Sequence, residues 1–154
     1  MFMNRILSTL LLATGLLAAT ACSDDNKDMP APVLPVVSGT FSGAQEAPAV
    51  TTAATGSFTG TFDKTTRELR YTVTFTGLTP AAGHLHLGAP GANGGVFQTF
   101  QFNNAASTGF ESPIVATTTL SPAQAASLLG NGVYANLHTP ANPGGEIRAN
   151  LTVK

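Results

Sequence analysis

From Glu68 to Thr76 the chain alternates without a break. Leu69, Tyr71, Val73 and Phe75 are apolar, and Arg70, Thr72, Thr74 and Thr76 are polar. A period of two over this length predicts a strand with one face on a core and the other toward solvent. Thr55 to Phe62 repeats the pattern, with Phe58 and Phe62 on one face, and Asp63-Lys64-Thr65-Thr66 supplies a turn between the two, so the pair reads as a hairpin. Val36 to Phe41 precedes them as a first strand, followed by a loop over Ser42 to Pro48. Gly83 to Leu87 is a short strand that places Leu85 and Leu87 on one face and His84 and His86 on the other. The Gly/Pro/Asn-rich run Ala89–Gly95 is a loop, and the apolar run Val96 to Phe102 predicts another strand. Pro113 to Leu120 follows, with Ile114, Ala116, Thr118 and Leu120 on one face.

One helix interrupts the strands. Ser121 is placed to cap it, Pro122 to take its first position, Gln124 to complete a capping box and Gly130 to end it. Val133, Ala135 and Leu137 then alternate with Tyr134, Asn136 and His138. In the last strand Ile147, Ala149, Leu151 and Val153 are expected inward, and Glu146, Arg148, Asn150 and Thr152 outward. Seven or so short strands separated by turns predict an all-β, antiparallel sandwich with one short helix.

Composition narrows the function classes. Charged residues make up 10% of the 154, against the usual ~25%, and Trp is absent. From Val37 onward Lys64, Arg67, Arg70, Arg148 and Lys154 balance Glu46, Asp63, Glu68, Glu111 and Glu146. A neutral domain without a basic patch lacks the electrostatic driver of nucleic-acid binding. Among nucleophile motifs, Gly-x-Ser-x-Gly is missing, and the glycine-rich loop has no lysine and helix after it to cradle phosphate.

The start of the chain reads as an export signal. Arg5 precedes an apolar run from Ile6 to Ala19, and small residues lead to Cys22, the only cysteine. Residues 1–21 are expected to be a signal peptide. Ala19-Thr20-Ala21-Cys22 resembles a bacterial lipobox, with Ala19 where leucine is commonest. That resemblance implies cleavage before Cys22 and its acylation; ordinary cleavage after Ala19-x-Ala21 is the alternative. Residues 22–36 then read as a tether: the acidic Ser23–Asp28, which resembles the surface-export signal of some Bacteroidetes lipoproteins, and the proline-rich Met29–Pro35. The expected location is the outer membrane or cell surface, with residues 37–154 as the folded domain.

Candidate chemistry concentrates on three histidines. Two imidazoles at i and i+2 on one strand face are roughly 6–7 Å apart at the backbone, close enough to chelate one ion. Neutral imidazole suits zinc and copper. A structural role competes with this: ring N–H groups donating to carbonyls in the loops Ala89–Gly95 and Ala141–Gly145. Glu146 and Arg148 are either a surface ion pair or groups that orient a histidine from behind. Glu46 caps a loop or forms a carboxylate pair with Glu146.

Gly83–Gly88, the stretch Val133–Thr139 with Pro143–Arg148, and Ser42–Pro48 together resemble the CHRD domain, over about residues 37–153. This family occurs in bacterial secreted proteins and in the animal signalling antagonist chordin. The resemblance implies an immunoglobulin-like β-sandwich related to copper/zinc superoxide dismutase, and no particular activity. The dismutase layout also implies that His84, His86 and His138 converge, since it pairs their two strands. The bridging histidine, the zinc ligands, the cysteine pair and the arginine of that enzyme are missing, although Arg148 is near, so dismutation is not expected. Three functions remain: a lipid-anchored, non-enzymatic envelope module binding a protein, glycan or other ligand; a copper- or zinc-binding or redox protein using His84, His86 and His138; or a purely structural envelope role.

Overall fold

The computed structural model describes residues 33–106 and 108–154. The expected signal peptide, Cys22 and most of the tether lie outside the described residues. The alternating segments form strands β1 (Val36–Ser42), β2 (Thr55–Asp63), β3 (Glu68–Thr76), β4 (Ala82–Leu87), β5 (Val96–Thr99) and β6 (Ile114–Thr119). Helix α1 (Pro122–Leu129) and strands β7 (Val133–His138), β8 (Ile147–Asn150) and β9 (Thr152–Val153) complete the fold.

All strand pairs are antiparallel, in the order β5-β4-β7-β8-β1-β2-β3-β6, with β9 also pairing β1. The sheet curls until its ends meet. Thr118 Oγ1 of β6 donates to Gln98 Oε1 of β5 at 2.8 Å, and the Tyr71 ring of β3 lies 5.6 Å from that of Phe100, just beyond β5. The result is an all-β, sandwich-like fold around one core. Phe41, Phe58, Phe62, Leu69, Leu85, Leu137, Ile147 and Leu151 are fully enclosed there.

The predicted faces of β3 hold: Leu69, Tyr71 and Val73 are buried, while Arg70, Thr74 and Thr76 are exposed. The helix is capped as its residues require. Ser121 accepts from Gln124 N, and the Gln124 side chain accepts from Ser121 N, closing both ends of the capping box. Gly130 keeps a negative φ, and Asn131, at φ 56°, takes the left-handed step that turns the chain into β7.

Two expectations are corrected. The strand predicted over Val96 to Phe102 ends at Thr99; Phe100 N still donates to Gly83 O of β4, and its ring fills the core beside Tyr71. Arg148, expected outward, is completely buried. Alternation assigns a residue to a face, and this face of β8 is covered by loops.

Phe58 stacks on Tyr71 at 5.2 Å with no solvent contact. Phe58→Ala is expected to destabilise the domain by about 3–5 kcal/mol in urea unfolding, the usual range for emptying such a core position. Val115→Thr, at a position 71% exposed, should change stability by less than ~0.5 kcal/mol.

Candidate functional site

The outer face of β4, β7 and β8 carries an unusual run of polar side chains. Antiparallel pairing sets His84 opposite Asn136, His86 opposite Tyr134, Ala82 opposite His138, and Asn136 opposite Arg148. Period two then puts His84, His86, Tyr134, Asn136, His138 and Arg148 on one surface. Loops fold over it, so that His86, Tyr134, Asn136 and Arg148 are each at most 8% exposed.

The structure brings the three histidines together. One ring nitrogen from each of His84, His86 and His138 lies within 4.8 Å of the others. His84 Nδ1 is 2.9 Å from His138 Nε2. Two carbonyls decide the tautomers. His86 Nδ1 is 2.9 Å from Gly94 O, and His138 Nδ1 is 3.0 Å from Pro143 O. A carbonyl only accepts, so both Nδ1 atoms carry hydrogen, and in the neutral rings both Nε2 atoms present bare lone pairs. His86 Nε2 is buried with no hydrogen-bond partner. The loop carbonyls thus satisfy one nitrogen of each of these rings; the other nitrogen of His86 is unpartnered, while that of His138 faces His84 Nδ1 at 2.9 Å and Asn136 Oδ1 at 3.0 Å. Burial, reinforced by His138 and His86, pushes His84 down to about 4, and burial also lowers His138, so both of these rings favour the uncharged form.

Behind the cluster three groups stack. The Tyr134 ring lies parallel to His86, with centroids 4.7 Å apart and planes 7° from parallel. Arg148 Cζ sits 3.5 Å over the same Tyr134 ring. Arg148 donates from Nη2 to Ala89 O at 2.9 Å and from Nε to Asn150 Oδ1 at 2.9 Å. Its role is therefore to anchor the loop after β4 and to pack behind Tyr134; it touches no histidine through a hydrogen bond.

Glu146 lies elsewhere. Its carboxylate accepts from Thr52 Oγ1 and Thr139 Oγ1, and these hydroxyls hold its pKa below the usual carboxylate value. It ties the loop after β7 to the segment before β2 and neither orients a histidine nor pairs with Arg148. The only ion pair among the described residues joins Arg70 and Glu68.

Glu46 is the acid at this site. It follows a single 3₁₀ turn, Gly43–Gln45, and is 8% exposed, with Oε1 lacking a hydrogen-bond partner. Glu46 Oε1 and Asn136 Nδ2 both close on the space beside Gly145, whose φ of 129° and missing Cβ permit that approach. A cleft of about 390 Å³, lined by Glu46, Pro48, Asn93, Asn142, Pro143 and Gly144 among others, reaches this carboxyl. Asn136 and Tyr134 were legible only as neighbours of His138 at period two, and Glu46 only as part of the Ser42–Pro48 motif.

With this geometry in view, the match to a known family model is informative: the CHRD domain model matches residues 37–151. The chain belongs to the CHRD domain family. No curated protein and no solved structure matches it. Each of the motifs that carry the family resemblance lends residues to the site of this CHRD domain: Glu46 from the first, His84 and His86 from the second, Asn136, His138 and Arg148 from the third.

Burial pushes the Glu46 carboxyl up to about 7, against the opposing pulls of Arg148 and Asn136. Its folded value stands above the ordinary 4.5, so its contribution to stability is full below about pH 4.5 and is lost as pH rises through 7. His84 acts in the other direction: its contribution is present above pH 6.5 and lost as pH falls through 4. Glu46→Gln is therefore expected to raise the melting temperature by several degrees at pH 8 and to leave it nearly unchanged at pH 5. An equal shift at both pH values would show that ionisation of Glu46 is not what limits stability.

Proposed function

We propose that this CHRD domain is a lipid-anchored cell-envelope binding module whose ligand is a zinc or copper ion, held by His84 Nδ1, His86 Nε2 and His138 Nε2. The observation that carries the reading is the set of three nitrogens within 4.8 Å, two of them aimed by carbonyls behind their rings. Metal-ligating histidines characteristically donate their second ring N–H in this way, which fixes tautomer and orientation before the ion arrives. An ion ~2.0–2.1 Å from each nitrogen needs a separation as wide as 4.8 Å to close by about 1.4 Å, within the swing of a side chain. Uncharged, partly buried imidazoles suit zinc and copper.

Binding rather than turnover is the role that fits Arg148. Its guanidinium is fully buried and engaged by Tyr134, Ala89 and Asn150, so it is not free to steer an anionic substrate. The lipid anchor rests on Cys22 and the small residues before it. Two or three acyl chains, at ~0.8 kcal/mol per buried CH₂, would hold the domain firmly at a membrane.

Purified domain is expected to take up one equivalent of Zn²⁺ or Cu²⁺ per chain in calorimetry with metal analysis. His86→Ala should weaken binding by at least about tenfold, since it removes a ligand and not merely a supporting group. Absence of uptake, or uptake indifferent to His86, would refute the metal reading. Independently, Cys22→Ala is expected to move the protein from the membrane to the soluble fraction; a variant that stays on the membrane is anchored by some other group.

A further inference from the structure

We infer that Asn136 is the fourth donor of this site, its Oδ1 closing the coordination sphere as a three-nitrogen, one-oxygen set. The inference rests on the metal-binding reading above and extends it: a closed sphere holds an ion, whereas a catalytic one keeps a position open for water or substrate.

Three observations converge on Asn136. The first is register. Asn136 is the direct cross-strand partner of His84 and lies two residues before His138 on the same face of β7. It therefore sits beside two of the three ligands with its side chain on their surface. The second is a chemical mismatch. Asn136 Oδ1 is 3.0 Å from His138 Nε2. The proton of that ring is committed at Nδ1 to Pro143 O, so the contact sets two acceptors face to face. His84 Nδ1 can donate to His138 Nε2, but nothing in that bond relieves the amide oxygen. A cation shared by Oδ1 and Nε2 does relieve it. Two donors on one tetrahedral ion at ~2.0–2.1 Å stand about 3.4 Å apart, close to the observed spacing.

The third observation is what stands behind the amide. Asn136 is 3% exposed, and its Nδ2 faces the gap beside Gly145 into which Glu46 Oε1 also points. Glu46 Oε1, left without a hydrogen-bond partner, offers an acceptor on the N–H₂ side and favours the orientation that turns Oδ1 toward the histidines. The reverse orientation would direct an N–H at His138 Nε2 and occupy the lone pair that the ion needs. Glu46 is thus a positioning residue for Asn136, and Gly145 is the position that lets the two approach. A Cβ there would collide with Glu46 Oε1.

Substitution with Co²⁺ tests this, because its visible absorption reports coordination number directly. Full-length protein loaded with Co²⁺ is expected to show an intense tetrahedral spectrum that azide does not alter. Asn136→Ala should retain Co²⁺ through the three histidines with affinity lowered by at least about tenfold, more than the loss of a supporting group alone would give at its lower limit. Its spectrum should shift on adding azide, which enters the vacated position. Asn136→Asp, which keeps an oxygen donor, should restore indifference to azide; a merely structural role for Asn136 would not produce that rescue. Should Asn136→Ala fail to fold, the wild-type response to azide decides alone. If azide shifts the wild-type spectrum, the fourth position is open and the inference is overturned while the three-histidine reading stands. If the wild type takes up no Co²⁺, or if His84→Ala takes it up equally well, both fall together.

Discussion

A buried guanidinium organises this domain. Arg148 is completely enclosed, and among the described residues no carboxylate lies within ion-pair distance of it. Moving such a charge out of water costs several kcal/mol unless hydrogen bonds and polarisable neighbours replace the water. Here Ala89 O, Asn150 Oδ1 and the face of Tyr134 do so. A desolvated cation over an aromatic ring contributes about 2 kcal/mol or more, and each hydrogen bond from a charged donor about 1.5–3. Satisfying Arg148 holds the loop after β4 down on the sheet. That same loop carries Gly94, whose carbonyl fixes His86 and whose N–H donates to the Tyr134 hydroxyl at 3.2 Å.

The loops are therefore part of the site and not a cover added to it. Gly94 approaches the Leu87 carbonyl so closely that a Cβ would overlap it. Gly145 lets Glu46 and Asn136 meet on the other side. The loop between β7 and β8 brings the Pro143 carbonyl to His138, and Glu146 stiffens its base through Thr139 and Thr52. Preorganisation of this kind fixes tautomers and lone pairs in advance, so little reordering remains when a ligand arrives. It also concentrates unfavourable terms in one place: an unpartnered imidazole nitrogen, a carboxyl raised toward neutrality, and a guanidinium out of water. The rest of the fold offsets them through a hydrophobic core and antiparallel ladders.

How much of this could be read from the chain alone follows from what each pattern encodes. Alternation encodes which residues share a face, and it correctly grouped Leu69 with Tyr71 and Val73, and His84 with His86. The capping box from Ser121 to Gln124 is a local interaction closed within four residues, so the helix was legible to the residue. Family motifs identified the three segments that build the site, although not what each side chain does there.

Tertiary structure alone decided how deeply the second face of the sheet is buried and what meets on it. Arg148 alternates with core residues in the manner of a surface position, and only the loops folding back from Ala89 and Asn93 enclose it. Glu46 is separated from Asn136 by ninety residues of chain, and nothing local predicts that Gly145 will let them share a space. The ring of Phe100 lies in the core against Tyr71 of β3, a neighbour that only the closing of the sheet supplies. Sequence periodicity carries information only over the few residues of one element. The elements and their faces were therefore determined along the chain, while the protonation, burial and company of the site residues were set by strands and loops that meet across the fold.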